Sequence, residues 1–218
     1  MYSAVIVGAG SGMRTGLEYN KMFYLLKGKS MICYSVEVFL KDIDCEQIIV
    51  VTNKIDYEKI KNLFLDLNVK IVIGGETRQE SVYLGLSKVK TKYVFIHDGA
   101  RPNIKIEQID QLKEALKKKN ALTLGIRVKD TLKQTTNLRI VGDVDRNSVY
   151  TLQTPQVFIT QEIIKAHELA NQSKHTYSDD TSVYRSELHK DVFIVPGRED
   201  NLKGTTLIDL IILEALLC

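Results

Sequence analysis

Apolar and polar positions follow two periods along this chain, and the two periods alternate from segment to segment. Continuous β-branched runs are typical of strands buried on both faces, whereas apolar residues three or four positions apart indicate amphipathic helices. The runs predict strands at residues 4–7, 47–52, 70–74, 92–98, 121–129 and 191–197. The helical spacing predicts helices at 31–40, 57–67, 78–89, 106–120, 158–171 and 179–189. This order predicts an α/β fold with a Rossmann-like, mostly parallel twisted sheet flanked by helices.

Two segments depart from this alternation. Residues 130–147 alternate polar and apolar side chains around a Thr-Thr-Asn turn, which predicts a β-hairpin that protrudes from the sheet. The C-terminal segment 207–218, LIDLIILEALLC, is almost entirely apolar. It is shorter than the roughly 20 residues that a membrane span needs, so we expect a buried terminal helix. Because no repeat or flexible linker interrupts the pattern, residues 1–218 are predicted to form one domain.

Charge and cysteine content narrow the range of partners. The chain has 30 basic and 27 acidic residues, and a net charge of +3 gives little support for a nucleic-acid partner. Its three cysteines include no C-x-x-C pair, which disfavours a disulfide framework or a zinc site and fits a reducing compartment. The N-terminus lacks the pattern of a signal peptide. We therefore expect a cytoplasmic protein without a membrane segment.

A glycine-rich turn, residues 8–16, follows the first predicted strand, and it contains Arg14 and is followed by Lys21. The P-loop pattern G-x-x-x-x-G-K-[ST] is absent, and the dinucleotide pattern G-x-G-x-x-G fails because Met13 occupies its last position. Glycines let backbone N–H groups approach a phosphate closely. On this motif alone, a phosphate site and a turn with two solvated cations are equally good interpretations.

Six segments are expected to meet at one rim, because ligands of open α/β sheets bind beyond the carboxyl ends of the strands. They are the glycine-rich turn and residues 74–81, 97–102, 127–131, 145–156 and 197–206. Asp179 and Asp180 could suggest a metal site, but acidic residues at the start of a helix more often cap it. His97 is interpreted as a packed histidine that holds the end of its strand.

The ordered motifs resemble the 2-C-methyl-D-erythritol 4-phosphate cytidylyltransferase family of sugar-phosphate nucleotidyltransferases. Each motif is weak alone, but the set runs through the whole chain in the family's order. The matching segments are VGAGSGMRTG (7–16), GGETRQESVYLGL (74–86), HDGARP (97–102), VKDTLK (128–133), DRNSVYTLQTPQVF (145–158), SDDTSV (178–183) and GREDNLKGTT (197–206). The chain departs from the family pattern at Thr15, Asn20, Met22 and Gly204, which puts the geometry of the nucleotide loop in question.

The resemblance implies that CTP and 2-C-methyl-D-erythritol 4-phosphate react to give 4-diphosphocytidyl-2-C-methyl-D-erythritol and pyrophosphate, a step of non-mevalonate isoprenoid synthesis. The nucleophile is a phosphate oxygen that is already ionised, so catalysis must neutralise charge and align the reactants. The resemblance also implies Mg²⁺, held mostly by the CTP phosphates. It implies a homodimer in which the hairpin, about residues 130–147, is exchanged between subunits.

The resemblance assigns roles to individual residues. The catalytic group comprises Arg14 and Lys21 at the triphosphate, Lys203 at the α-phosphate, and Arg146. CTP binding is expected of Gly8, Ala9, Gly10, Gly12, Gly75, Glu76, Arg78, Ser81, Asp98 and Gly99. Acceptor binding is expected of Arg101, Thr131, Arg146 and Thr154, and Asp98 is the candidate metal ligand.

Two alternative functions are a cytidylyltransferase for ribitol 5-phosphate and a binding protein without catalytic activity. A ribitol-5-phosphate cytidylyltransferase would share the nucleotide half of the site, but Ala100 before Arg101 and the intact segment 145–156 favour methylerythritol phosphate. A binding protein without catalytic activity would be expected to have lost Arg14, Lys21 or Lys203, and the chain retains all three.

Overall fold

A seven-stranded mixed sheet forms the centre of the computed structural model, which describes residues 1–10 and 16–217. The strands are β1 (Tyr2–Val7), β2 (Leu25–Leu26), β3 (Lys29–Ser30), β4 (Cys45–Thr52), β5 (Val69–Ile73), β6 (Tyr93–Asp98), β7 (Ala121–Arg127), β8 (Lys133–Thr136), β9 (Arg139–Asp143), β10 (Tyr150–Ile159) and β11 (Phe193–Pro196). The helices are α1 (Met31–Leu40), α2 (Tyr57–Leu63), α3 (Arg78–Leu86), α4 (Ile106–Leu116), α5 (Thr160–Ser173), α6 (Asp180–Leu188) and α7 (Leu207–Leu216). These elements confirm the predicted α/β class.

The sheet has the order β11-β7-β10-β6-β1-β4-β5, and β10 runs antiparallel to both of its neighbours. The other neighbouring pairs are parallel. Successive residues of β1 face opposite layers: Ala4 and Ile6 pack with α1, α2, α4 and α7, whereas Val5 packs with α3, α5 and α6. Burial on both faces explains why the central strands are continuous apolar runs.

Strand β10 corrects the prediction for residues 145–158. We expected a loop over 145–156 and a helix from residue 158, but the strand extends to Ile159 and α5 begins at Thr160. The polar side chains of Gln153, Thr154 and Gln156 suggested a loop. All three side chains are buried, and their hydrogen bonds to other parts of the chain replace those that they would make with water.

The C-terminal helix α7 is less buried than its sequence predicted. Leu210 and Leu213 face the core, whereas Ile208 and Ile211 remain 69% and 67% exposed. The close packing of α7 explains Gly204, because a Cβ there would lie 3.0 Å from Leu210 Cδ2 and 3.1 Å from Met31 Sδ. Over the described residues, no helix reaches the length and apolarity of a membrane span.

The predicted hairpin is present as β8 and β9, which pair with each other in a separate two-stranded sheet. Its turn residues Asn137 and Leu138 have φ values of 49° and 64°, as a two-residue hairpin turn of type I′ requires. Leu138, Ile140 and Val141 at the turn and along β9 are exposed, Leu138 by 99%. The arm therefore presents apolar side chains away from the core of its own chain.

Candidate active site

Two cavities lie side by side and share a wall. The glycine-turn cavity has a volume of about 530 Å³, and the β10 cavity has one of about 360 Å³. The glycine-turn cavity is lined by residues that include Gly8, Ala9, Gly10, Lys21, Asn53, Ile55, Gly75, Glu76, Arg78, Ser81, Asp98 and Lys203. The β10 cavity is lined by residues that include Arg78, Asp98, Arg101, Gln153, Thr154, Gln156, Asp179 and Lys203. Arg78, Asp98 and Lys203 border both cavities and form their junction.

Asp98 at the end of β6 gathers three cationic side chains at this junction. Its Oδ2 lies 2.7 Å from Lys203 Nζ and 3.9 Å from Arg101 Nε, and its Oδ1 lies 3.4 Å from Arg78 Nη2. Burial raises the pKa of Asp98, but the positive charges of Arg78, Lys203 and Arg101 outweigh it and hold the pKa well below its usual range. Asp98 is therefore ionised at neutral pH, and the junction carries more positive than negative groups.

Backbone hydrogen bonds attach Gly8, where the glycine-rich turn begins, and Gly99 to neighbouring strands of the sheet. Gly8 N–H donates to the Val51 carbonyl at 2.8 Å, and Gly99 N–H donates to the Val7 carbonyl at 2.9 Å. On the opposite side, Gly75 N–H donates to Ser81 Oγ at 3.2 Å. Of the residues predicted to bind CTP, Gly8, Ala9, Gly10, Gly75, Glu76 and Ser81 line this cavity, whereas Gly99 follows Asp98 and is not among the described residues that line either cavity. The predicted Gly12 and Arg14 lie outside the described residues.

Lys21 is presented by a short 3₁₀ turn, Lys21–Phe23, that Asn20 caps. Asn20 Oδ1 accepts the Met22 N–H at 3.1 Å, while Asn20 Nδ2 donates to the Gly8 carbonyl at 3.2 Å and to Asp56 Oδ2 at 2.8 Å. One buried amide thereby ties the glycine turn, the Lys21 turn and the loop before α2 together. Lys21 borders the glycine-turn cavity although its own side chain is largely buried.

His97 and Thr154 join β6 to β10 beneath the junction. His97 Nε2 faces the Arg101 carbonyl at 3.1 Å, so this nitrogen carries the proton, and Thr154 Oγ1 donates to His97 Nδ1 at 3.0 Å. Thr154 Oγ1 also accepts the Asp98 N–H at 3.0 Å. Burial lowers the pKa of His97 to about 4, so it is neutral at pH 7. The interpretation of His97 as a packed residue is confirmed.

Arg101 reaches the β10 cavity across the end of the sheet. Its Nη1 donates to the Asn201 carbonyl at 2.7 Å. Asn201 is fully buried, and its Nδ2 donates to the Thr154 carbonyl at 3.1 Å. Gln153 Nε2 donates to the Arg198 carbonyl at 2.7 Å. These bonds fix segment 197–206, which carries Lys203, against β10.

Arg146 and Thr131 do not join the other predicted site residues in the described part of this chain. Both are exposed at the base of the hairpin, and Arg146 Nη1 donates to the Lys129 carbonyl at 2.9 Å. Among the described residues, neither lines the glycine-turn cavity or the β10 cavity. The hairpin carries these two side chains with it, away from the junction.

Comparison with known proteins identifies the family. The family model IspD, 2-C-methyl-D-erythritol 4-phosphate cytidylyltransferase, matches residues 2–218. The chain is 37% identical to the 2-C-methyl-D-erythritol 4-phosphate cytidylyltransferase of Bacillus cytotoxicus, with 100% of this chain and 98% of that relative covered. It is 36% identical to the enzyme of the same name from Clostridioides difficile, with 100% and 94% covered. The chain belongs to the IspD family.

Solved structures agree with this assignment. The chain superimposes on a 4-diphosphocytidyl-2C-methyl-D-erythritol synthase from Anaerococcus prevotii with a TM-score of 0.88 and 29% identity, covering 100% of this chain and 98% of that one. It superimposes on the 2-C-methyl-D-erythritol 4-phosphate cytidylyltransferase of Thermus thermophilus with a TM-score of 0.83 and 27% identity, covering 98% and 97%. The chain is thus a nucleotidyltransferase, and the relatives do not support the ribitol-phosphate alternative.

Within this IspD chain, the departures from the family pattern have structural partners of their own. Asn20 makes the three hydrogen bonds described above, and Met22 is 3% exposed beneath Gly8 and Gly99. Gly204 allows the close approach of α7. Thr15 lies outside the described residues. The departures at Asn20, Met22 and Gly204 therefore fit their surroundings.

The predictions for this IspD chain missed several polar residues behind the junction. Asp179 caps α6 as expected, accepting the Ser182 N–H at 3.1 Å. Asp180 does not act as a cap: its side chain is buried and pairs with Arg78 and His167. The SDDTSV, QTPQ and DNLK motifs contain Asp180, Gln156 and Asn201. Their place in motifs was the available signal, but no local pattern showed which residues they would contact.

Proposed function

We propose that this protein transfers a cytidylyl group from CTP to 2-C-methyl-D-erythritol 4-phosphate, with 4-diphosphocytidyl-2-C-methyl-D-erythritol and pyrophosphate as products. The observation that carries the proposal is the junction of Arg78, Asp98 and Lys203, where two cavities meet around a cluster of cations. A reaction between two phosphate groups needs such a place, because both reactants are anions.

The glycine-turn cavity is assigned to CTP. Gly8, Ala9 and Gly10 line it. Since Gly8 N–H is donated to the Val51 carbonyl, the backbone N–H groups of Ala9 and Gly10 are the ones assigned to the triphosphate, and Lys21 supplies charge in the same cavity. Gly75, Glu76 and Ser81 border the same cavity, and we assign the cytosine and ribose to this side of it. Arg14 follows the glycines in sequence and is assigned to the triphosphate through the family motif.

The β10 cavity is assigned to the sugar phosphate. Arg101 and Thr154 border it, and the Arg101 guanidinium is held by the Asn201 carbonyl. The hydroxyl of Thr154 already serves His97 and the Asp98 N–H, so Thr154 contributes mainly by fixing the wall of the cavity. This refines the role that the resemblance assigned to Thr154.

The reaction follows from these positions. A phosphate oxygen of the acceptor attacks the α-phosphorus of CTP, and the bond from that phosphorus to the bridging oxygen of the β,γ-diphosphate breaks. Lys203 at the junction neutralises the α-phosphate during the attack, while Lys21 and Arg14 stabilise the charge of the departing pyrophosphate. The attacking oxygen is ionised at neutral pH, so no residue has to remove a proton.

Mg²⁺ fits this site through Asp98. Mg²⁺ is commonly held by one or two carboxylates together with substrate phosphates, and Asp98 is an ionised carboxylate that borders both cavities. Among the described residues, no group of three or more histidine, cysteine or acidic side chains could hold a metal without substrate. Bound between phosphates and Asp98, the ion would neutralise phosphate charge.

A homodimer with exchanged arms would complete the acceptor site. Arg146 and Thr131 lie at the base of an arm whose apolar side chains Leu138, Ile140 and Val141 are exposed. Exposed apolar groups of this kind mark an interaction surface. In the proposed dimer, the arm of each copy covers the β10 cavity of the other and brings Arg146 to the sugar phosphate. We place this dimer in the cytoplasm, where Cys33 and Cys45 stay as free thiols.

Release of pyrophosphate by the purified protein tests the proposal. The protein is incubated with CTP and Mg²⁺ in three parallel reactions, with 2-C-methyl-D-erythritol 4-phosphate, with ribitol 5-phosphate and without acceptor. We expect release only in the first reaction. Release with ribitol 5-phosphate, or the absence of release from a folded sample, would contradict the proposal.

A further inference from the structure

Asp180 is a buried carboxylate to which the proposed reaction gives no role. It is the first residue of α6, and its side chain is 1% exposed. Its Oδ2 lies 2.9 Å from Arg78 Nη2, and its Oδ1 lies 3.2 Å from Nε2 of the buried His167. Burial raises the pKa of Asp180, but Arg78 and His167 outweigh it and lower the pKa below its usual value. The carboxylate is therefore charged and held from two sides.

The backbone of Asp180 is fixed to the central sheet as well. Gln156 Oε1 on β10 accepts the Asp180 N–H at 3.1 Å and the Thr181 N–H at 3.2 Å. Gln156 Nε2 donates to Asp179 Oδ2 at 2.7 Å. Since β10 holds its backbone and α5 holds its side chain through His167, Asp180 is a rigid point of attachment for Arg78.

Arg78 stands between two carboxylates. Its Nη2 is 2.9 Å from Asp180 and 3.4 Å from Asp98, while Lys203 Nζ is 2.7 Å from Asp98. Arg78 and Lys203 thus approach different oxygens of Asp98, and Arg78 lies closer to Asp180 than to Asp98. With Asp180 neutral, Asp98 would be the remaining acidic partner of Arg78 among the described ion pairs, and the guanidinium would be drawn toward it.

We propose that Asp180, supported by His167, is a positioning residue that keeps Arg78 on the wall shared by the two cavities and prevents its guanidinium from shifting toward Asp98. A bound nucleotide then meets a guanidinium that is already oriented, which removes part of the entropy cost of binding. The inference rests on the proposed function only in taking CTP as the ligand.

A double-mutant cycle tests whether Asp180 acts through Arg78. Asp180→Asn, Arg78→Gln and the double variant are compared with the wild-type chain by calorimetric titration with CTP and Mg²⁺. Glu162→Gln is the matched control, because Glu162 joins α5 to the region of α6 through Tyr184 and Lys190 and does not border either cavity in the described part of the chain. It removes one acidic charge from the same pair of helices.

We expect Asp180→Asn to weaken CTP binding about tenfold in the wild-type background but less than about twofold in the Arg78→Gln background, since residues that act as one unit are not additive. Glu162→Gln should leave the CTP affinity within about twofold. Equal losses in both backgrounds, or an equal loss in Glu162→Gln, would show a merely structural effect and overturn the proposal.

The His167→Gln variant is a second test of whether Asp180 acts through Arg78. It loosens Asp180 without touching either cavity wall, so it serves if Asp180→Asn does not fold. We expect a smaller loss of CTP affinity, which disappears in the Arg78→Gln background; a loss that persists there would overturn the proposal. Failure of the wild-type protein to bind CTP would also overturn it. Binding of CTP without pyrophosphate release would contradict the proposed reaction alone and leave this cycle valid.

Discussion

The glycine-turn cavity and the hairpin arm differ in how far a single chain completes them. Around the cavity, Asn20, Gly8 and Gly75 have hydrogen-bond partners, and the cationic junction is assembled at Asp98. At the arm, Arg146 contacts a backbone carbonyl of its own hairpin base, and Leu138 is 99% exposed. In the proposed function, one chain therefore prepares the nucleotide half of the site by itself, whereas the acceptor half needs the exposed arm of a second copy.

Lys203→Ala should produce the largest effect, because it removes the cation at the junction itself. We expect kcat to fall about 100- to 1000-fold, as when one charge-stabilising donor is deleted from an active site, with a smaller change in the KM for CTP. Steady-state pyrophosphate release measures both constants. The exposed Lys88→Ala is the matched control and should behave as wild type. Unchanged turnover in Lys203→Ala would remove Lys203 from the chemistry.

The Arg146→Ala variant distinguishes the contribution of the arm from that of the glycine-turn cavity. We expect the KM for 2-C-methyl-D-erythritol 4-phosphate to rise about 10- to 100-fold, since loss of a charged hydrogen bond to a phosphate costs on the order of 1.5–3 kcal/mol. The KM for CTP should stay the same. Arg139→Ala removes an equal charge from the exposed strand β9 and serves as the control. A selective rise in the KM for CTP would move Arg146 to the nucleotide half.

Asn20→Ala probes the preparation of the nucleotide half. The change removes the bonds to Gly8, Met22 and Asp56, so the glycine turn and Lys21 lose their common anchor. We expect a rise of about three- to tenfold in the KM for CTP, in keeping with the modest net value of buried hydrogen bonds. Asn62→Ala on the exposed face of α2 is the control. An effect on the acceptor KM alone would contradict this assignment.

His97, which joins β6 to β10, should make the stability of the folded chain fall at acidic pH. Burial lowers its pKa to about 4 in the folded chain, against about 6.5 when exposed. As the pH falls from 6.5 toward 4, the unfolded chain takes up a proton that folded His97 refuses, so stability declines by at most about 1.4 kcal/mol per pH unit from this residue. Chemical denaturation at several pH values in this range gives the free energy of unfolding, which should change less steeply with pH in His97→Gln than in the wild type. An identical dependence on pH in the two proteins would rule out His97 as the source.

Local patterns predicted the nucleotide half better than the acceptor half. The strand β1 and the glycines after it are neighbours in sequence, so periodicity and turn chemistry predicted a strand followed by a turn, and the family motifs assigned the turn to a nucleotide. Strand β10 was missed because Gln153, Thr154 and Gln156 are polar, and their burial depends on partners from distant segments. The pairing of Arg78 with Asp180 also joins distant residues, and a single sequence contains no local sign of it.

The sequence pattern also did not show which side chains would be exposed. The apolar segment of α7 suggested complete burial, yet Ile208 and Ile211 are exposed in the isolated chain. Arg146 and Thr131 were assigned to the site through motifs, but the hairpin carries them away from both cavities. In each case the sequence pattern shows whether a side chain is apolar, polar or charged, but not whether its own chain buries it.

Mixing two impaired variants tests most directly whether one site is shared between two copies. Lys203→Ala impairs the body of a chain, and Arg146→Ala impairs its arm. The assay uses 2-C-methyl-D-erythritol 4-phosphate well below the wild-type KM, where the raised KM of Arg146→Ala slows the reaction. Random pairing of equal amounts, by co-expression or by unfolding and refolding together, gives mixed dimers that hold one intact site, so we expect about a quarter of the wild-type pyrophosphate release to return. If the arm served its own chain, every site would carry a lesion. The mixture would then show no more activity than the two variants measured separately, and that result would contradict the account.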